Sequence, residues 1–262
     1  MTSQDTCILG MKVSPTDYGH ALELICEWSG RRLSKYVCVA NVSSVMEAYD
    51  SERFQRVMNE ADMVTPDGMP LVWGLRLLGR RNATRVYGPD LMPLLLGKAA
   101  ARGLTVGFYG AAPETLEQLL RVVRTRHPEL RIGYGYSPPF RTLTREEDEA
   151  ICRAINGSGA QILFVGLNTP KQDYWMAEHR GRVQAAMLGV GAAFDFLAGS
   201  KRQAPRWMRS SGLEWFFRLM TEPRRLWKRY LKHNPRFVVL FALQLLGVRK
   251  FPEHMDSARR TN

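Results

Sequence analysis

The sequence predicts an α/β protein, a mostly parallel sheet flanked by helices, with a basic helical appendage at its carboxy terminus. Three observations carry this. Along the first 198 residues, short apolar runs alternate with stretches of helical periodicity, the pattern of strands joined by crossover helices. The runs end in loops rich in Gly, Pro, Asn and Asp, the residues that turn a chain. Charge is also segregated: residues 201–262 carry 15 Lys and Arg against 4 Asp and Glu, a net +11, while residues 1–200 carry 22 against 21, a net +1. The chain therefore divides into a body, residues 1–198, and an appendage, residues 199–262.

Residues 8–13 read as a strand, and Ser14-Pro15-Thr16-Asp17 supplies capping groups and a proline for a helix through Ala21, Leu22, Leu24, Ile25 and Trp28. Residues 36–40 form a second strand ending at Asn41, and a helix containing Val45, Met46 and Tyr49 starts near Ser43 or Ser44. A short third strand, residues 63–64, leads into Thr65-Pro66-Asp67-Gly68, after which Met69, Leu71, Val72, Leu75 and Leu78 recur at roughly helical spacing. Asp90 is placed to begin the next helix. The pattern is plainest over residues 104–109, an apolar strand, followed by the tight turn Gly110-Ala111-Ala112-Pro113 and a helix over residues 114–126. Residues 131–136 and 161–167 are further strands, separated by a helix over residues 145–155. Asn168-Thr169-Pro170-Lys171-Gln172-Asp173 then opens a helix through Trp175 and Met176, and a last strand, residues 185–190, runs into Gly191-Ala192-Ala193-Phe194. Such a sheet is Rossmann-like, and ligands bind beyond the carboxyl ends of its strands. Asn41, Asp67, Gly110, Asn168 and Gln172 all fall there.

Composition narrows the classes of function. A chain of 262 residues with 45% hydrophobic content buries a substantial core. Its first seven residues are polar and lack the basic start and apolar run of a secretory signal. Cys7, Cys26, Cys38 and Cys152 lie far apart, with no His at zinc-ligand spacing, and read as reduced core thiols of a cytosolic protein. His20, His127, His179, His233 and His254 are scattered singly. There is no Asp-x-Asp pair to hold a metal on a nucleotide diphosphate, no Gly-x-Ser-x-Gly, no His-Glu-x-x-His and no Walker loop. No metal and no cofactor are expected. The unit over residues 104–126 can aim backbone amides at a phosphate, but it lacks Gly-x-Gly-x-x-Gly and a following acidic residue in a strand-end context, which disfavours an oxidoreductase.

What remains is a carboxylate on a loop, amide side chains at strand ends and a store of arginines. Asp67-Gly68 has two readings: a simple turn dipeptide, or an ionisable group presented by a rigid strand and helix. The second suits a reaction needing one general base and cationic stabilisation of a diphosphate leaving group without a metal. In the appendage, Arg202, Arg206, Arg209, Arg218, Arg224 and Arg225 are interleaved with Trp207, Trp215, Phe216, Phe217, Trp227 and Tyr230. Such a mixture suits an anionic membrane surface, and it could also serve single-stranded nucleic acid. Residues 237–248 are almost wholly apolar, yet as a helix they span only about 18 Å of a hydrocarbon layer about 30 Å thick. They are either a core helix or an interfacial one.

Three ordered segments, residues 61–68 (Ala-Asp-Met-Val-Thr-Pro-Asp-Gly), 85–91 (Arg-Val-Tyr-Gly-Pro-Asp-Leu) and 166–173 (Gly-Leu-Asn-Thr-Pro-Lys-Gln-Asp), resemble the motifs of the WecG/TagA/CpsF family, glycosyltransferase family 26. The resemblance covers roughly residues 35–197. It implies metal-independent, inverting transfer from a UDP-sugar to a sugar on a polyprenyl-diphosphate carrier, at the cytoplasmic face of the cell membrane, in surface or exopolysaccharide synthesis. Asp67 matches the general base, and Asn41 and Gln172 match donor-pocket residues, beside which we place Gly110 and Asn168. The family's appendage binds the membrane and supplies arginines, so the six appendage arginines above are the diphosphate candidates, two or three of them expected to touch substrate. Two departures stand out: Val39 replaces a common Thr, and Asp173 replaces a common Glu. The partners expected are a UDP-sugar, the lipid-linked acceptor, an anionic membrane and, through the apolar face of the appendage, a second copy of the chain. Nucleic acid is not expected. A basic nucleic-acid-binding protein is the alternative, and its binding would be salt-dependent and indifferent to Asp67.

Overall fold

The computed structural model describes residues 5–251, with the backbone alone for Arg206, Ser210 and Arg225. The chain opens with a hairpin, β1 (Thr6–Ile8) and β2 (Met11–Val13), in a separate two-stranded antiparallel sheet. This corrects the single strand expected over residues 8–13. Leu9 and Gly10 take positive φ values of 50° and 88°, and two such residues in succession reverse the chain.

Then follow α1 (Tyr18–Gly30), β3 (Lys35–Ala40), α2 (Val42–Asp50), α3 (Glu52–Glu60), β4 (Met63–Pro66), α4 (Met69–Leu77), α5 (Gly88–Ala101), β5 (Thr105–Gly110) and α6 (Pro113–Arg126). The body continues with β6 (Arg131–Tyr136), α7 (Arg145–Gly157), β7 (Ile162–Gly166), α8 (Lys171–Glu178), β8 (Ala186–Gly189) and α9 (Ala193–Ala198). The six strands β3–β8 form one sheet in the order β4-β3-β8-β7-β5-β6, and every neighbouring pair is parallel. The expected Rossmann-like architecture is therefore present.

Side-chain alternation sorts the core into two layers. Tyr36, Cys38, Val64, Leu163, Val165 and Met187 point to the layer filled by α2, α3, α4, α7 and α8, while Val37, Met63, Val106, Phe108, Phe164 and Leu188 point to α1, α5, α6 and α9. The neighbours β3 and β8 are followed by helices in opposite layers, α2 and α9. That divergence opens a crevice at the carboxyl edge of the sheet.

The appendage forms α10 (Arg206–Ser210), α11 (Glu214–Thr221) and α12 (Pro223–Leu245). Residues 237–248, left open between core and interface by their sequence, place one side in the core. Phe237 and Phe241 stack on each other at 5.6 Å and are buried in the first core layer. Val238, Val239, Leu246 and Val248 on the other side are exposed. Arg236 forks onto both oxygens of Asp50 at the end of α2, at 2.7 and 2.9 Å. The Gln244 amide pins the β1–β2 hairpin, accepting from the Leu9 amide and donating to the Cys7 carbonyl, both at 2.9 Å. Phe241→Ala is accordingly expected to cost about 3–5 kcal/mol in a denaturant titration of the whole protein. A cost below about 1 kcal/mol, the level of an exposed site, would remove α12 from the core. Among the described residues no helix is long and apolar enough to cross a membrane.

Candidate active site

The sheet brings Asn41 and Asp67 together. Parallel pairing of β3 and β4 sets Ala40 beside Pro66, and the Asp67 amide donates to the Ala40 carbonyl at 2.8 Å. Gly68 then packs on Asn41, and a Cβ added there would lie 3.6 Å from the Asn41 Cβ, an ordinary contact. Asn41 itself caps α2. Its Oδ1 accepts from the Ser43 and Ser44 amides at 2.9 and 3.4 Å, and Ser44 completes the capping box. The side-chain nitrogen of Asn41 has no partner among the described residues, leaving a donor at the crevice.

Asn168 and Gln172 lie across the crevice, at the ends of β7 and α8. Asn168 sits in the left-handed region (φ 65°), which asparagine tolerates better than most residues, and its carbonyl accepts from the Gln172 amide at 2.9 Å. Gln172 is buried. Its Oε1 accepts from the Gly191 amide at 3.0 Å and its Nε2 donates to Thr169 at 3.4 Å, so the side chain braces the loop after β7 against the loop after β8. Gly189 must be glycine for this, because a Cβ there would meet Nε2 at 2.9 Å. Gly110 works through its backbone. With φ at 121° it lets β5 approach β7 so closely that a Cβ would stand 2.6 Å from the Gly166 carbonyl oxygen. Helices α4, α6, α8 and α9 all begin at this edge without a side-chain cap. Their amide ends favour an anion in the crevice.

Val39 and Asp173, the two residues that depart from the resembled motifs, both lie near the crevice edge of β3 and α8. Val39 packs towards Gly88 at the start of α5, and its register partner Thr65 carries a buried hydroxyl with no partner among the described residues. Asp173 is buried under α8 beside Thr169 and Cys38, and burial pushes its pKa up to about 6.

Asp67 is the most heavily worked residue of the edge. Its side chain is only 17% exposed, and its Oδ1 accepts from Arg85 Nη2 at 3.2 Å. The same Nη2 donates to Glu214 Oε2 at 2.5 Å, Nη1 donates to the Arg209 carbonyl at 3.1 Å, and Nε donates to the Asp67 carbonyl. The guanidinium lies 4.1 Å over the Tyr87 ring. Burial raises the Asp67 pKa, Arg85 and Arg218 oppose the rise, Glu214 reinforces it, and the net result is about 6. Arg85 is held more firmly protonated than usual: burial alone would weaken its charge, but Asp67 and Glu214 outweigh it. Burial, with Glu214 and Asp67 alongside, likewise keeps the Tyr87 phenol protonated. Arg85, Tyr87 and Glu214 received no role from the sequence. Arg85 and Tyr87 stand in the second motif, which was their one visible signal, whereas Glu214 is one of only four acids among the many basic residues of the appendage.

The appendage arginines divide into separate groups. Arg209 Nη1 is paired with Asp90 at the start of α5, 2.8 and 3.0 Å from its two oxygens, and so docks α10 on the body. Arg218 and Arg202 line a cavity of about 260 Å³ together with Phe196, Lys201, Thr221 and Glu222. Arg224 lines a second cavity, about 480 Å³, that shares Lys201, Thr221 and Glu222 with the first. Arg218 links these cavities to Asp67, whose charge it stabilises. The side chains of Arg206 and Arg225 lie outside the described residues. One further cluster, Asp148, Cys152 and His179, offers three ligand-type atoms within 4.8 Å of one another. Both ring nitrogens of His179 are engaged, with the Trp175 carbonyl at 2.7 Å and Asp148 at 2.9 Å, and Arg182 takes the other Asp148 oxygen at 2.7 Å. The cluster ties α7 to the end of α8.

A buried carboxylate of raised basicity, sharing one arginine with a second acid and close to a further cation, is equipment for group transfer from a phosphorylated donor. Comparison with known proteins narrows that class. Over residues 6–251 the chain matches the Glycosyl transferase WecG/TagA/CpsF family, and it belongs to that family. It is thus a glycosyltransferase, and the match extends beyond the three motifs to include α10–α12. Among its relatives is an N-acetylglucosaminyldiphosphoundecaprenol N-acetyl-beta-D-mannosaminyltransferase of Bacillus spizizenii, 32% identical over 204 residues that cover 78% of this chain and 77% of the relative.

Proposed function

We propose that the protein is an inverting, metal-independent glycosyltransferase that moves a sugar from a UDP-sugar to an N-acetylglucosaminyl residue on a polyprenyl diphosphate. The observation that carries this reading is the Asp67 carboxyl, raised to about 6, paired with Arg85 and stabilised as the anion by Arg218 of the arginine-lined cavity. Only Oδ1 of Asp67 is paired among the described residues, so Oδ2 faces the acceptor hydroxyl. The acceptor oxygen attacks the anomeric carbon, its proton passes to Asp67, and the bond from that carbon to the diphosphate oxygen breaks as UDP leaves. Arg202, Arg218 and Arg224, with the uncapped helix ends, stabilise the charge that develops on the diphosphate. The donor side of the crevice is shaped by Asn41, Gly110, Asn168 and Gln172.

The acceptor's tail is lipid, and the appendage suits a peripheral position on the cytoplasmic membrane face. Trp207, Trp215, Trp227 and Leu231 are exposed there, and Trp73 of α4 continues the surface against Gly212. Trp and Arg together favour the headgroup layer. Away from a membrane, the same apolar surface is where two copies would meet. A nucleic-acid role draws less support, because Arg209 and Arg236 are committed to Asp90 and Asp50.

The reading is tested by acceptor-dependent UDP release from a panel of UDP-sugars, including N-acetylmannosamine, its uronic acid and glucose, with a short-chain prenyl-diphosphate acceptor. One donor is expected to react. Release that is independent of acceptor, or none with any donor, overturns the assignment. The acid limb of kcat/KM is expected near pH 6: Asp67 must be unprotonated to act, so activity is held above its pKa and lost as the pH falls through it. A limb near pH 4, where an ordinary Asp titrates, would place the base elsewhere.

A further inference from the structure

The contact between Arg85 and Glu214 joins the body to the appendage at the proposed base, and it has a chemical consequence. Glu214 lies in the first turn of α11, is only 12% exposed at its side chain, and shares Arg85 Nη2 with Asp67. Its carboxylate stands among the basic residues of the appendage, yet it contacts the body's arginine, while Arg218 one turn further along α11 is near enough to stabilise the Asp67 charge. Arg85 is thus divided between two carboxylates, one from each part of the chain.

Resting on the assignment of Asp67 as base, we propose that Glu214 is a positioning residue: by taking one side of Arg85 it keeps that cation from closing on Asp67 alone. The appendage thereby makes Asp67 a competent base only while α11 is docked.

A carboxylate in an undivided ion pair with a buried guanidinium is stabilised as the anion and is a poor proton acceptor. A second carboxylate on the same guanidinium takes part of that field and adds its own repulsion, so Asp67 holds a proton more readily. The groups facing Asp67 are Arg85 and Tyr87 from the segment before α5, Glu214 and Arg218 from α11, and Tyr18 from α1, whose hydroxyl accepts from the Tyr87 amide at 3.0 Å. Of these, Glu214 is the only anion supplied by the appendage and held directly on Arg85. Undocking α11 removes it, and Arg85 then falls to Asp67. The coupling would confine strong base character to the closed form, in which the appendage arginines also meet the diphosphate.

The test is the pH profile of kcat/KM for acceptor-dependent UDP release by the full chain, wild type against Glu214→Gln. Removing the charge is expected to move the acid limb to lower pH by at least about half a unit and to lower the plateau rate, because a weaker base follows. Glu214→Ala is expected to shift the limb in the same direction without an amide competing for Arg85, so the result does not depend on one variant folding. Glu214→Asp keeps the charge and is expected to return the limb towards wild type. Coincident limbs in wild type, Glu214→Gln and Glu214→Ala overturn the proposal while leaving Asp67 as base. If Asp67→Asn keeps both the rate and the acid limb, it is the base assignment that fails.

Discussion

Asp67→Asn is expected to lower acceptor-dependent UDP release at least about a hundredfold while the protein stays folded, the lower end for losing a general base. The amide is nearly isosteric and can still accept from Arg85, so the hydrogen bond at Oδ1 survives and what disappears is proton affinity. Stability is not expected to fall for lack of charge. The raised pKa means that the folded protein holds a proton on Asp67 more tightly than the unfolded chain does. This group therefore favours folding below the unfolded pKa, and its contribution is lost as the pH rises through about 6. At neutral pH the charged Asp67 opposes folding, and the neutral amide removes that opposition at the cost of weakening the pair with Arg85. Lost activity with an unchanged or higher Tm would separate chemistry from structure. Wild-type activity in the variant would move attention to Asp173, the other carboxyl that burial raises to about 6.

How much of this could be read from the chain follows the range of the interactions involved. Strands of the main sheet were legible because buried parallel strands are continuous apolar runs, as at Ile162–Gly166. The opening hairpin was not, since residues 6–13 carry their reversal in Leu9, a residue that rarely adopts positive φ. Helix α3 also escaped separate notice, because Ser51 ends α2 and caps α3 with no intervening loop. At the site, Asp67 and Asn41 stood out because each follows a strand directly. Arg85 and Glu214 did not: the contact that defines them joins residues 129 positions apart, and no local pattern marks such a pair. Gln172 was matched to the donor pocket by resemblance, and the brace its side chain forms between two loops was not legible, because it depends on Gly189 and Gly191 of a different strand end.

Replacing Arg202, Arg218 and Arg224 together by Gln is expected to reduce transfer by about a hundredfold to ten-thousandfold, as loss of two charge-assisted contacts worth about 1.5–3 kcal/mol each would do. None of the three makes an ion pair among the described residues, so the fold is expected to survive. That makes this variant more informative than deleting residues 202–262. The deletion would also strip Phe237 and Phe241 from the core and leave the Leu9 amide without Gln244, so inactivity would have two causes. The triple variant keeps α12 in place and removes charge only from the two cavities. Because the contacts strengthen as the diphosphate takes up the charge of the breaking bond, kcat is expected to fall further than KM rises. A rise in KM with kcat unchanged would mean that these arginines hold the diphosphate equally in the ground and transition states. Unchanged kcat and KM would leave Arg206, Arg209 and Arg225 of the six candidates, and since Arg209 is already paired with Asp90, the search among them would narrow to the other two.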